Sequence, residues 1–236
     1  MIDQTIINRL ARKIKDIPTN VVTSPASATD GNIAVDVDGW IRVVETWTYA
    51  NPTIITVPSG ALSKYRRGNA VKFTQDNIEK QFYIANVTDD SLTLTGGNNF
   101  ILTDNGIEDI YYSFIKPLDF QNVFSWEPTY GASGSMTFTS VTTHFAFFKL
   151  DGDYLDVNVH ATGTTGGTAS NTITVSLPLV VRASFASCGI VTDPSNTGSM
   201  IYSSPNAIMS IRKYDSSNFG LGTGRIIVAG LKAKLL

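Results

Sequence analysis

One row of residues around Asp151-Gly152-Asp153 constrains this chain more than any other feature. Ala146, Phe148 and Leu150 stand at every second position before it, and Leu155, Val157 and Val159 stand at every second position after it. A period of two puts alternate side chains on opposite faces of a strand, and an Asp-Gly step between two such runs is a hairpin signal. The segment is expected to form an antiparallel hairpin closed by a type I′ turn. His144 continues the upstream row, so the same count places it on the core face. The opposite face carries Phe145, Phe147 and Lys149 beside Tyr154, Asp156 and Asn158. It presents two phenylalanines that a second sheet or a second subunit has to cover, which makes Phe145 and Phe147 candidate subunit-interface residues.

The same vocabulary of β-branched and aromatic residues, cut at short intervals by turn residues, recurs along the chain. Strands are expected at 40–44, 53–57, 69–74, 80–87, 91–95 and 110–115, with one helical turn at 61–65. In the second half they are expected at 135–139, 143–150, 154–161, 171–177, 183–191, 198–202, 206–213 and 224–231. The pattern predicts a mainly β protein with a short N-terminal helix, a small antiparallel β barrel or sandwich, and a C-terminal jelly-roll-like β sandwich. Pro117 follows a strongly β segment and marks a junction. The expected organisation is a helix and linker over 1–32, a small β domain over 33–117 and a C-terminal jelly-roll-like domain over 118–236.

The helix is expected over residues 3–17. Asp3 caps it, Pro18 ends it, and Ile7, Leu10, Ile14 and Ile17 fall along one stripe. That stripe fits either an amphipathic helix packed on its own chain or a neighbour, or a short coiled coil at a symmetry axis. Two heptads are marginal alone, so a coiled coil here needs the β domains to hold the chains together. Residues 19–32 have no apolar period and read as a linker.

Composition excludes several functions. With 18 basic against 20 acidic residues the formal charge is −2, which supplies no concentrated positive field for nucleic acid. A single cysteine, Cys188, excludes an internal disulfide and most cysteine-based metal sites. The basic residues near the N-terminus are interleaved with isoleucines, unlike a secretory signal, and no stretch approaches the roughly 18 apolar residues of a membrane span. No membrane insertion is expected.

No set of residues composes a catalytic centre, and neither a cofactor nor a metal is expected. The two histidines, His144 and His160, fall on opposite faces of the hairpin by simple alternation, which argues against a shared metal. Asp151 and Asp153 lack the further spaced acids of a calcium loop. Lys64-Tyr65-Arg66-Arg67 reads as a solvated turn. Gly220-Leu221-Gly222-Thr223-Gly224 lacks the lysine and the strand-to-helix setting of a phosphate loop. For glycan binding the candidates are Tyr202, Tyr214 and Phe219, with Trp126 and Tyr154 as further aromatic residues. Their ordinary role on a β sandwich is packing.

Residues 45–114 resemble a module of phage fibre and accessory virion proteins. The resemblance is carried by Trp47, Tyr49, Thr53, Val57, Pro58, Tyr65, Arg67, Gly68, Val71, Phe73, Thr93, Leu94, Thr95, Tyr112 and Ser113. The C-terminal part is similar to the heads of phage appendage proteins, laid out like trimeric C1q-type jelly rolls. Here it rests on Trp126-Glu127-Pro128-Thr129-Tyr130, the Asp-Gly hairpin, the 162–167 loop and Ile173-Thr174-Val175-Ser176-Leu177-Pro178. The resemblance implies a structural, non-enzymatic protein of a tailed bacteriophage, displayed on the virion as a homotrimer. Its N-terminus would fasten it to a capsid or tail protein. It leaves open a tail fibre that binds a host receptor or a head fibre or decoration protein. The alternative is an appendage that binds or degrades a host surface glycan.

Overall fold

Among the described residues, turns cut the chain into antiparallel strands that gather into two sheets. The computed structural model describes residues 38–182, 187–193, 196–203 and 207–236, with backbone alone at 187–188, 193 and 196–203. The expected helix over 3–17, with Ile7, Leu10, Ile14 and Ile17, and the linker over 19–32 lie outside the described residues.

The first sheet contains β1 (Ile41–Arg42), β2 (Thr48–Asn51), β3 (Ile54–Thr56), β4 (Ala70–Gln75), β5 (Ile78–Val87), β6 (Ser91–Thr95) and β7 (Glu108–Ser113). Its seven strands run in the order β1-β7-β4-β5-β6-β3-β2, and α1 (Ala61–Lys64) is the one helical turn between β3 and β4. Alternation buries Val71 and Phe73 on β4 and Leu92 and Leu94 on β6. Trp47 meets Tyr65 and Phe73 edge-on at 5.7 and 6.4 Å, and Phe73 stacks on Phe82 at 5.2 Å. The Glu45 carboxylate closes this cluster, accepting hydrogen bonds from Trp47 Nε1 at 3.0 Å, from Tyr65 OH at 2.9 Å and from Lys64 Nζ. Burial pulls the Glu45 pKa up, but these donors outweigh it and hold the group below its ordinary value.

The second sheet contains β8 (Phe124–Ser125), β9 (Tyr130–Ala132), β10 (Met136–Asp151), β11 (Tyr154–Gly167), β12 (Thr172–Ser176), β13 (Ser187–Asp193), β14 (Asn196–Ser203), β15 (Ile208–Lys213) and β16 (Gly222–Lys234). The order is β8-β10-β11-β16-β13-β14-β15-β12-β9. Strands β13, β14 and β15 form a meander; β16 returns beside β13, and β12 lies beside β15. Each return makes a Greek key, and the two share their meander as in jelly rolls. The sheet folds back on itself until β9 reaches β10, where the Tyr130 and Thr143 hydroxyls lie 2.8 Å apart and the Tyr130 and Phe138 rings 6.0 Å apart. The enclosed core is built on aliphatic residues, with Leu155, Val157, Val159, Ile173, Val175, Ile211 and Ile227 all inaccessible, and Phe138, Phe148 and Phe219 join them. The arrangement is sandwich-like and mainly β, as the sequence pattern predicts.

The chain leaves the first sheet at Ser113 and enters the second at Phe124, and the connection packs against the first sheet. Phe120 lies edge-on to Trp40 and Tyr83, while Trp40 Nε1 donates to Asp119. Phe124 is fully buried where the sheets meet, within 5.5 Å of the Tyr83 ring, 6.2 Å of Phe100 and 6.0 Å of Phe148. Polar groups close the seam around it. Tyr83 OH donates to Asn122 O at 2.8 Å, Asn98 N donates to Ser125 O at 2.8 Å, and Ser125 N donates to Asn99 Oδ1 at 2.9 Å. Burial pushes the Tyr83 hydroxyl up to about 12, so it stays a donor across the ordinary pH range.

Candidate functional site

The β10–β11 hairpin is built much as alternation predicts. Ala146, Phe148, Leu150, Leu155, Val157 and Val159 are buried, and Leu150 pairs with Leu155. The turn is Gly152-Asp153, with Asp151 opposite Tyr154. Only Gly152 has positive φ, at 56°, which excludes the expected type I′ turn and matches the first-position glycine of type II′. Lys232 on β16 donates to Asp151 at 2.9 Å, a hydrogen bond that lowers the Asp151 pKa.

His144 departs from expectation. Strand β10 carries two irregularities, between Thr139 and Thr142 and between Thr143 and Phe145, each adding one residue on β10 relative to β11. At the second, His144 has no residue opposite it and turns outward, so it is exposed rather than in the core. Its ring centroid lies 4.4 Å from that of His160, with the rings tilted by 39°. The two histidines expected on opposite faces are neighbours on one face.

That face is more apolar than the hairpin alone reveals. Phe145 pairs with His160, His160 with Val228 on β16, and Val228 with Ile190 on β13, making one row across four strands. Ile190 is 53% exposed and Phe147 43% exposed. Phe145 is half-buried, and its ring is parallel to that of Phe147 within 5°, at 5.7 Å. The signal for β16 lies in Ile226-Ile227-Val228-Ala229, a run that puts apolar residues on both faces of the strand. Further along the hairpin, Lys149 pairs with Asp156 at 3.3 Å.

The glycan candidates do not form one platform. Phe219 is 1% exposed, inside the core with Lys213 over its ring at 5.8 Å, so it presents no face to a sugar. Tyr214 is 66% exposed. The Tyr202 side chain lies outside the described residues. Trp126 is buried, donating Nε1 to Ser176 O at 3.2 Å.

Two segments read as loops are structural fasteners. Tyr65 is buried, edge-on to Tyr112 at 5.1 Å, rather than solvated. Arg66 Nη1 donates to Leu62 O and Tyr65 O, capping the carbonyl end of α1. In the glycine-rich loop Gly220 O accepts from Thr165 Oγ1 at 2.7 Å and from buried Arg225 Nε at 3.0 Å. Among the described residues no group of three or more His, Cys, Asp or Glu side chains is placed to hold a metal, and no helix is long and apolar enough to cross a membrane.

No family model, no curated protein and no solved structure matches this chain.

Proposed function

We propose that the chain is a structural, non-enzymatic protein of a tailed-bacteriophage particle, displayed as a homotrimer and anchored through its N-terminal segment. The observation that carries this reading is the outer face of β10, β11, β16 and β13. Phe145, Phe147, Val228 and Ile190 form an apolar surface on a well-packed sheet, and such a patch is what a subunit contact removes from water. A second copy is the occupant that fits the resemblance of this sheet to trimeric jelly-roll heads. The double Greek key and the closely joined sheets suit a compact knob, which holds the face rigid for assembly and its loops outward for display.

Light scattering on the full chain tests the assembly, with a mass of three chains expected and a mass of one chain overturning it. Labelled antibody on intact particles separates a tail position from a head position; absence of label from every particle overturns the virion reading. Deleting residues 1–20 should release the protein from particles, and retention overturns the anchor. Hydrolysis of a host polysaccharide that a single Asp or Glu change abolishes would replace the structural reading with the enzymatic one.

A further inference from the structure

We infer that His144 and His160 form a two-histidine port for a borderline divalent transition-metal ion, Cu(II), Ni(II) or Zn(II). The bulge between Thr143 and Phe145 is the first support. Simple alternation would bury His144, and one inserted residue instead turns it out beside His160, the kind of re-aiming that bulges perform next to functional sites. Proximity is the second. At 4.4 Å between centroids the two imidazoles are close enough to share one ion at the usual metal–nitrogen distances of about 2.0–2.1 Å.

The surroundings hold the rings in place. His160 is half-buried, with Phe145 edge-on at 5.5 Å, and the Nε2 atom of His144 is hydrogen-bonded to Thr162 Oγ1. When Nε2–H is the donor in that bond, Nδ1 keeps its lone pair and is the nitrogen free to bind metal. Thr162 is thus a positioning residue that orients the His144 ring. Imidazole nitrogens suit Cu(II), Ni(II) and Zn(II), with Cu(II) the strongest of the three, whereas calcium and magnesium want oxygen. With two protein ligands the remaining positions fall to water in a single chain and, because His160 lies in the row proposed as the subunit contact, to water or a donor of the neighbouring copy in the assembly. The port requires neither the trimer nor the phage assignment.

The chain has only two histidines, which makes the test direct. Substoichiometric Cu(II) added to the full chain without a histidine tag should broaden the imidazole C2–H proton signals of both residues together. Calorimetric titration with Ni(II) should give one ion per chain. His144→Ala or His160→Ala should each weaken binding by about a hundredfold, because the second nitrogen acts at high effective concentration. Thr162→Val should weaken it by about tenfold, as expected for the loss of an outer-shell partner. Broadening of one imidazole alone, no binding, or affinity unchanged in the folded His144→Ala/His160→Ala double variant would each overturn the port. Circular dichroism and thermal unfolding of every variant establish that the fold is kept.

Discussion

Gly68 and Gly152 meet backbone to backbone where the turn before β4 touches the tip of the β10–β11 hairpin. A Cβ on Gly68 would lie 2.7 Å from both Cα and N of Gly152, and the φ of Gly68 is +82°. Nearby, Arg67 Nη2 donates to Leu236 O at 3.0 Å. Gly68→Ala meets a left-handed backbone and an immovable neighbour together, so it should cost about 2–4 kcal/mol in urea unfolding. A loss below about 0.5 kcal/mol, typical of a surface site, would mean the sheets are not pressed together here.

Phe124 holds the same seam from within. Phe124→Ala removes a ring that contacts Tyr83, Phe100, Phe120 and Phe148, and should cost about 3–5 kcal/mol. It should also split denaturant unfolding into two steps, because each sheet keeps aromatic or aliphatic packing of its own. One sharp transition at the wild-type midpoint would show that Phe124 does not join them.

Glu45 predicts an acid-sensitive first sheet. Its folded pKa is depressed below 4.5, so its contribution is complete above that ordinary value and is lost as pH falls through the lower folded one. Glu45→Gln should destabilise the protein at neutral pH by about 1–3 kcal/mol, since charge-assisted bonds from Trp47, Tyr65 and Lys64 are weakened. The difference from wild type should shrink in acid. Urea midpoints for both proteins across the acid range check this, and a gap that widens as pH falls refutes the assignment.

Phe145→Ser/Phe147→Ser should change association more than folding. Phe147 is exposed and Phe145 half-buried, so the variant should keep the wild-type circular dichroism spectrum while the mass by light scattering falls toward one chain. An unchanged mass of three chains would place the subunit contact elsewhere.

Much of the strand layout was readable in advance because side chains alternate with a period of two. Expected strands at 91–95, 171–177 and 206–213 correspond to β6 (Ser91–Thr95), β12 (Thr172–Ser176) and β15 (Ile208–Lys213). The buried and exposed rows of the hairpin followed from the same count. His144 escaped it for a geometric reason. Two one-residue insertions in β10 cancel in a period of two, so Phe138 and Ala146 both face the core and nothing at either end betrays the displaced residues between them.

Alternation is a local property of the chain, and it decided which residues form strands and which faces are apolar. Partnership across the sheets is not local. Residues 79 positions apart join Trp40 to Asp119, four strands assemble the row from Phe145 to Ile190, and two rings sixteen residues apart become the His144–His160 pair. The tertiary structure alone settles these contacts, and with them why Tyr65 is buried against Trp47 and Tyr112 and Phe219 within the second sheet's core, because burial depends on which surfaces distant segments bring together.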